Sequence, residues 1–358
     1  MALVGWPWIC AQALGNDQLH DGSPTDQGTL NDMRYRRLGK TGYKVSEIGF
    51  GAWAIGGNWG PTDDEQAMSA LHAAVDAGVT FFDTADVYGD GRSEQLLARL
   101  RKERDEELVI ATKVGRRGPL DPDAYTPAAL REWMERSREN LQVDRLDLVQ
   151  LHCPPTDTYY RPDIFASLQE LVDTGVTAAV GVSVERVEEG LKAIEFPGVA
   201  SVQIVFNLFR QRPAELFLER AHARDVGVIA RVPLASGLLT GKYTVESTFH
   251  PDDHRHFNAG GEAFDVGETF AGVGLERGVM AAEQLRSRVP EDATLGQFAL
   301  RWILMHPEVS TVIPGARTPE QIEENAGASG LAPLSEDDMA ACAFVYEERI
   351  APLVHQRW

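Results

Sequence analysis

A chain of 358 residues with 43% hydrophobic content can bury a full core and suits one large domain or two modest ones. Its formal net charge of -20 excludes a nucleic-acid surface, which needs clustered Lys and Arg, and its apolar runs fall far short of the roughly 20 residues that span a bilayer. Three scattered cysteines, Cys10, Cys153 and Cys342, supply neither a disulfide framework nor a zinc ligand set, which fits a reducing, cytoplasmic setting.

Residues 1–32 do not resemble the rest of the chain, and the expectation is a disordered extension ahead of a single catalytic domain spanning 33–358. An Ala-x-Ala at 11–13 hints at a secretory cleavage site, but no basic residue precedes the apolar stretch, as a signal peptide requires. Only six of the 34 basic residues are lysine, a skew compatible with a GC-rich genome or a high-salt cytoplasm.

After Met33, "RYRRLGKTGYKVS" places Lys-Thr-Gly between two short extended runs and predicts a β-hairpin. Eight strand candidates succeed one another: KVSEIGFG, TFFDTA, LVIATKV, LDLVQLH, TAAVGVS, SVQIVFNL, GVIARVP and STVIPG. Helical patterns cover 62–78, 93–104, 126–142, 162–174, 184–195, 213–225, 274–288, 294–306, 318–326 and 335–349. Thr62 and Gly78 punctuate the first, and Thr126 as N-cap with Pro127 at the first helical position opens the third. This alternation predicts an α/β fold, a (β/α)8 TIM barrel with an N-terminal β-hairpin and extra helices. A doubly wound sheet is the rival, because "GFGAWA" at 49–54 matches G-x-G-x-x-A. Its helix would have to open at the third small residue, yet "IGGNWGP" intervenes.

In a barrel, inward side chains at the C-terminal strand ends converge on one mouth. Alternation puts Phe81 and Asp83 on one face, then Val109, Ala111 and Lys113, then Leu148, Gln150 and His152. Asp83, Lys113 and His152 therefore hold equivalent last inward positions, with Tyr88 in the turn just beyond the first of these strands. A lysine ammonium beside Tyr88 is expected to pull the phenol pKa down towards neutrality, with Asp83 keeping the buried lysine charged and a neutral His152 donating to a substrate oxygen. Such a set protonates a carbonyl oxygen. With no nucleophile and no metal cluster in it, the attacking species is expected to be a hydride from a bound nicotinamide. Asp86, on the turn itself, is expected to bond local backbone amides.

At these residues the sequence resembles the aldo-keto reductase superfamily, in the branch similar to potassium-channel β-subunits: "DTADVY", "ATKVG" with Lys113 and "LVQLHCPP" with His152 match its catalytic tetrad. The resemblance covers about 33 to 350. It implies NADPH as cofactor, no metal, and reversible reduction of a small-molecule aldehyde or ketone. Tyr88 would be the acid, tuned by Lys113 and Asp83, with His152 orienting the carbonyl. By position it also implies Gly51, Ala52 and Trp53 lining the cofactor and substrate mouth, and Ser183 and Gln203 as nicotinamide carboxamide ligands. Pro233, Leu234, Ser236, Leu238 and Lys242 would cover the pyrophosphate. Gly315, Arg317, Gln321, Glu324 and Asn325 would hold the 2'-phosphate and adenine, as a helix N-terminus and a bidentate arginine suit a phosphate.

Several positions depart from the family pattern. Val184 stands where many members have Asn, which implies a lost carboxamide hydrogen bond. Arg231 stands where an aromatic often stacks on the nicotinamide; a guanidinium also stacks, but its charge is expected to disfavour the oxidised, cationic form. Gln321 replaces a basic residue, leaving Arg317 as the main charge for the 2'-phosphate, and Cys153 opens the substrate pocket that it would share with Trp53 and Tyr88. "FHPDDHRHF" at 249–257 is expected to be a polar, mobile loop, with metal binding as its alternative, and Arg116 and Arg117 either attract anionic substrates or solvate a loop. Two other functions stand against the reductase: a cofactor-bound sensor or channel subunit with little turnover, and a metal-dependent barrel hydrolase, for which the strand ends supply no ligand set.

Overall fold

The computed structural model describes residues 33–56 and 63–358. The expected extension at 1–32 and Thr62 lie outside the described residues.

A hairpin comes first, β1 (Tyr35–Arg37) pairing antiparallel with β2 (Lys44–Ser46). Eight parallel strands follow in chain order: β3 (Phe50–Gly51), β4 (Phe81–Asp83), β5 (Val109–Val114), β6 (Leu146–His152), β7 (Thr177–Ser183), β8 (Val199–Val205), β9 (Gly227–Arg231) and β10 (Val309–Val312). Each pairs with its chain neighbour, and the bridges Ile48–Val312 and Gly51–Gly315 join the first strand to the last, closing a (β/α)8 barrel. Gly51 permits that closure, since a Cβ there would meet the Ile313 carbonyl oxygen at 2.9 Å.

The run 44–51, expected as one barrel strand, is divided. Its first half belongs to the hairpin, and Glu47 sits at the break with its carboxylate accepting from Arg34 Nε at 3.0 Å, Arg36 Nε at 2.6 Å and Ser329 Oγ at 3.1 Å. The hairpin stoppers the barrel floor. Leu38 and Val45 join Phe81, Val109, Ala111, Leu148, Ala179, Ile229 and Ile313 in the interior core, as alternation along each strand requires. Gly39, at φ +48°, lies so close to β9 that a Cβ would meet Gly227 N at 2.2 Å.

Phe82 and the other outward residues pack instead against the helices in a second cluster. Helices α1 (Asp64–Asp76), α2 (Arg92–Glu103), α3 (Pro127–Leu141), α4 (Pro162–Asp173), α5 (Val187–Ala193) and α6 (Phe217–His222) alternate with the strands, and α7 (Leu275–Leu285), α8 (Leu295–Leu304), α9 (Pro319–Gly330) and α10 (Glu336–Val345) follow β9. Asp63 caps α1, and Thr126 caps α3 by accepting from Ala129 N at 3.2 Å, a contribution of about 1 kcal/mol. Among the described residues no helix is long and apolar enough to cross a membrane.

Candidate active site

The C-terminal strand ends deliver Asp83 from β4, Lys113 from β5, His152 from β6, Ser183 from β7, Gln203 from β8 and Arg231 from β9, all buried. Together they line one wall of a cleft of about 530 Å³. Tyr88 arrives from the turn after β4; its ring lies 6.3 Å from Trp53 and meets His152 edge-on at 5.9 Å, with Lys113 Nζ 5.2 Å from its centroid.

Lys113 is 1% exposed and donates to the Asp83 carboxylate and to the Thr84 carbonyl at 2.9 Å. Gln203 Nε2, at 2.6 Å, and Gln150 Nε2, at 3.3 Å, also donate to Asp83. Gln203 Nε2 spends its second N–H on Gln150 Oε1 at 3.4 Å, which leaves its oxygen to accept from an amide. Gln150 was not singled out from the sequence, although its place on the inward face two residues before His152 marked it.

Burial works to strip the Lys113 proton, but Asp83 and then Tyr88 outweigh it and hold the ammonium pKa above its ordinary value. For Tyr88 the balance runs against the expectation. Burial raises its pKa and Lys113 offsets this only in part, so the hydroxyl stays protonated through neutral pH. His152 is driven well below the usual range by burial and by Arg116, Lys113 and Arg231, which keeps it neutral. Its buried Nδ1 has no partner among the described residues, a state cheaper for a bare lone pair than for an N–H, which puts the proton on Nε2.

The charge on Arg231, expected from the sequence to disfavour an oxidised, cationic nicotinamide, is held on both sides. Its Nη1 donates to Glu268 and its Nη2 to the Val184 carbonyl at 3.0 Å. Arg116 lines the cleft, bridged to Glu185 at 3.1 Å, whereas Arg117 turns away to Asp86 and Asp90. Glu268 comes from a connection far along the chain that carries no strand or motif, so no sequence signal identified it. The 249–257 segment is likewise more than a polar loop: His254 is fully buried and packs on Trp53 at 4.8 Å. Among the described residues no group of three or more His, Cys, Asp or Glu is placed to hold a metal.

Asp86 departs most from expectation. It is fully buried, and its carboxylate accepts no hydrogen bond of normal geometry among the described residues; Arg117 Nε approaches at 3.6 Å. Burial, reinforced by Glu94, pushes its pKa up to about 7.

Beside the tetrad the same cleft is lined by Gly51, Trp53, Cys153, Pro233, Leu234, Ser236 and Lys242 and by Gly315, Arg317, Gln321, Glu324 and Asn325. Val232 and Ser236 in its wall hold positive φ of 51° and 55°, strain of the kind that collects at binding sites. Arg317 precedes α9, which Thr318 caps. Of the positions expected to contact a cofactor, Ala52 and Leu238 do not line the cleft. Ala52 is buried with its amide donating to the Asp83 carbonyl, and Leu238 is core packed towards Gly278.

A cleft that brings the half-buried Tyr88 hydroxyl together with Lys242, Arg317 and the start of a helix fits a nicotinamide dinucleotide. Residues 47–347 match the family model described as the Aldo/keto reductase family. Aldo-keto reductase YhdN of Bacillus subtilis is 32% identical over 314 residues, covering 85% of this chain and 91% of that protein. A probable voltage-gated potassium channel subunit beta of Arabidopsis thaliana is 32% identical over 84% of this chain and 93% of its own length. Among solved structures, glycerol dehydrogenase AKR11B4 from Gluconobacter oxydans superposes with a TM-score of 0.70 at 29% identity, covering 89% of this chain and 96% of that one.

Proposed function

We propose, from the premise that the chain belongs to the aldo/keto reductase family, that it reduces an aldehyde or ketone reversibly with NADPH. The observation that carries this reading is the meeting of Tyr88, Lys113, Asp83 and His152 in one cleft that also presents Lys242, Arg317 and a helix start suited to phosphates. A bound nicotinamide supplies the hydride.

The chain's own residues do the rest. His152 Nε2 donates to the carbonyl oxygen and orients it, remaining neutral throughout. Tyr88 keeps its proton until negative charge develops on that oxygen, then gives it up. Lys113, fixed by Asp83, stabilises the phenolate left behind, and Gln150 and Gln203 keep Asp83 from turning away. Ser183 and the Gln203 oxygen would take the carboxamide, while Lys242 and Arg317 would take the phosphates.

Loss of reduced-nicotinamide absorbance with a panel of carbonyl compounds tests the activity. Tyr88→Phe should lower kcat by roughly 10²–10⁴-fold while the Kd for NADPH changes less than about twofold; full activity in that variant overturns the mechanism. Similarity to a potassium-channel subunit favours a second reading, a cofactor-bound sensor, which bound NADPH without turnover would support.

A further inference from the structure

Arg231 and Glu268 form an ion pair in the cleft wall that the proton transfer does not use; their side chains are 9% and 12% exposed. Both are locked in place. Arg231 ends β9 and spends a second nitrogen on the Val184 carbonyl. The Glu268 amide donates to the Asp265 carbonyl at 3.2 Å, and its own carbonyl accepts from Ser236 Oγ at 2.8 Å. Arg231 Nη2 lies 3.8 Å from the sulfur of Cys153, the residue after His152. A carbonyl held by His152 and Tyr88 must meet the hydride donor here, so the redox ring has to sit in reach of this wall.

That ring is neutral when reduced and cationic when oxidised. A bare guanidinium at about 6 Å, at an effective dielectric of about 20, would weaken the oxidised form by roughly ten- to a hundredfold relative to the reduced one. Of the other cations nearby, Lys113 is matched by Asp83, and Arg116 bridges to Glu185, whose pKa burial and Asp265 raise to about 7, so that its charge is largely present at pH 8. Arg231 and Arg116 in turn hold the Glu268 carboxyl below its ordinary range against its burial, so the compensating charge is present at neutral pH.

We propose that Glu268 is a positioning residue that sets the cofactor's oxidation-state preference: by neutralising Arg231 it removes the penalty Arg231 would otherwise place on the oxidised nicotinamide. The inference rests on the nicotinamide reading of the cleft. It is tested by titrating the full chain at pH 8 with NADP+ and with NADPH, in the absence of a carbonyl substrate, and comparing the two Kd values. Glu268→Gln should raise the ratio of Kd for NADP+ to Kd for NADPH about tenfold or more. Arg231→Met, which leaves the carboxylate without its ion-pair partner and opposed only by Arg116, should lower that ratio below the wild-type value, and the double variant should return it close to wild type. An equal effect on both forms in either single variant, or a ratio in the double variant that stays displaced, overturns the proposal. Arg231→Met decides the sign even if Glu268→Gln does not fold. A wild-type chain that binds neither form overturns the cofactor reading itself, and this inference with it.

Discussion

Asp86 and Asp83 lie three residues apart in "FFDTADVYG" and behave oppositely. Asp83 finds Lys113 and two amides; Asp86 is buried without them, and its pKa climbs from an ordinary 3.8 to about 7. A carboxyl raised on folding takes up a proton as the chain folds. Its stabilising contribution is therefore complete below about pH 4 and is lost as the pH rises through about 7. Asp86→Asn should flatten this loss and be the more stable protein at pH 8, by on the order of 2–4 kcal/mol, in denaturant titrations run at pH 5 and pH 8. A variant less stable than wild type at pH 8 would show that Arg117 keeps the carboxylate charged. Glu94, also raised by burial, remains and leaves a residual slope. The convergence of Asp83, Lys113 and His152 was legible because strand alternation fixes which way a side chain points. The titration of Tyr88 and Asp86 was not, because it depends on how much protein surrounds a group, and that is set by segments far away in the chain.

At the scale of elements, period and punctuation exposed the alternation of strands and helices. They did not show that 44–51 serves two sheets, since a break at Glu47 needs Arg34, Arg36 and Ser329 converging on it, the last from near the other end of the chain. The connection between β9 and α7 was opaque for a related reason. It has no periodicity, yet it contributes Phe264 and Glu268 to the cleft. Helix α9 was the reverse case, its start legible from "ARTPEQ". If Arg317 at its entrance grips a 2'-phosphate, Arg317→Ala should raise the KM for NADPH by roughly ten- to a hundredfold and that for NADH far less. An equal rise for both would place the phosphate elsewhere.

For the molecule as a whole, a net charge of -20 is self-repulsion that dissolved ions screen. Tm should therefore rise by several degrees between about 10 mM and 1 M NaCl, as the screening length falls from roughly 30 to 3 Å. A flat response would count against adaptation to a salty cytoplasm. The barrel also carries a seam. β6 and β7 meet in a long register, but among the described residues the ring closes through the short Ile48–Val312 and Gly51–Gly315 bridges. Gly51, Gly315 and Arg317 all lie on the cleft, so its walls come from both sides of that join. During synthesis the chain can stack strand on strand as each emerges, yet the binding site has no existence until residues near 315 reach back to those near 51. Chains cut short before residue 315 should therefore fail to bind a nicotinamide cofactor, because Gly315, Arg317 and Asn325 would be missing from the cleft wall.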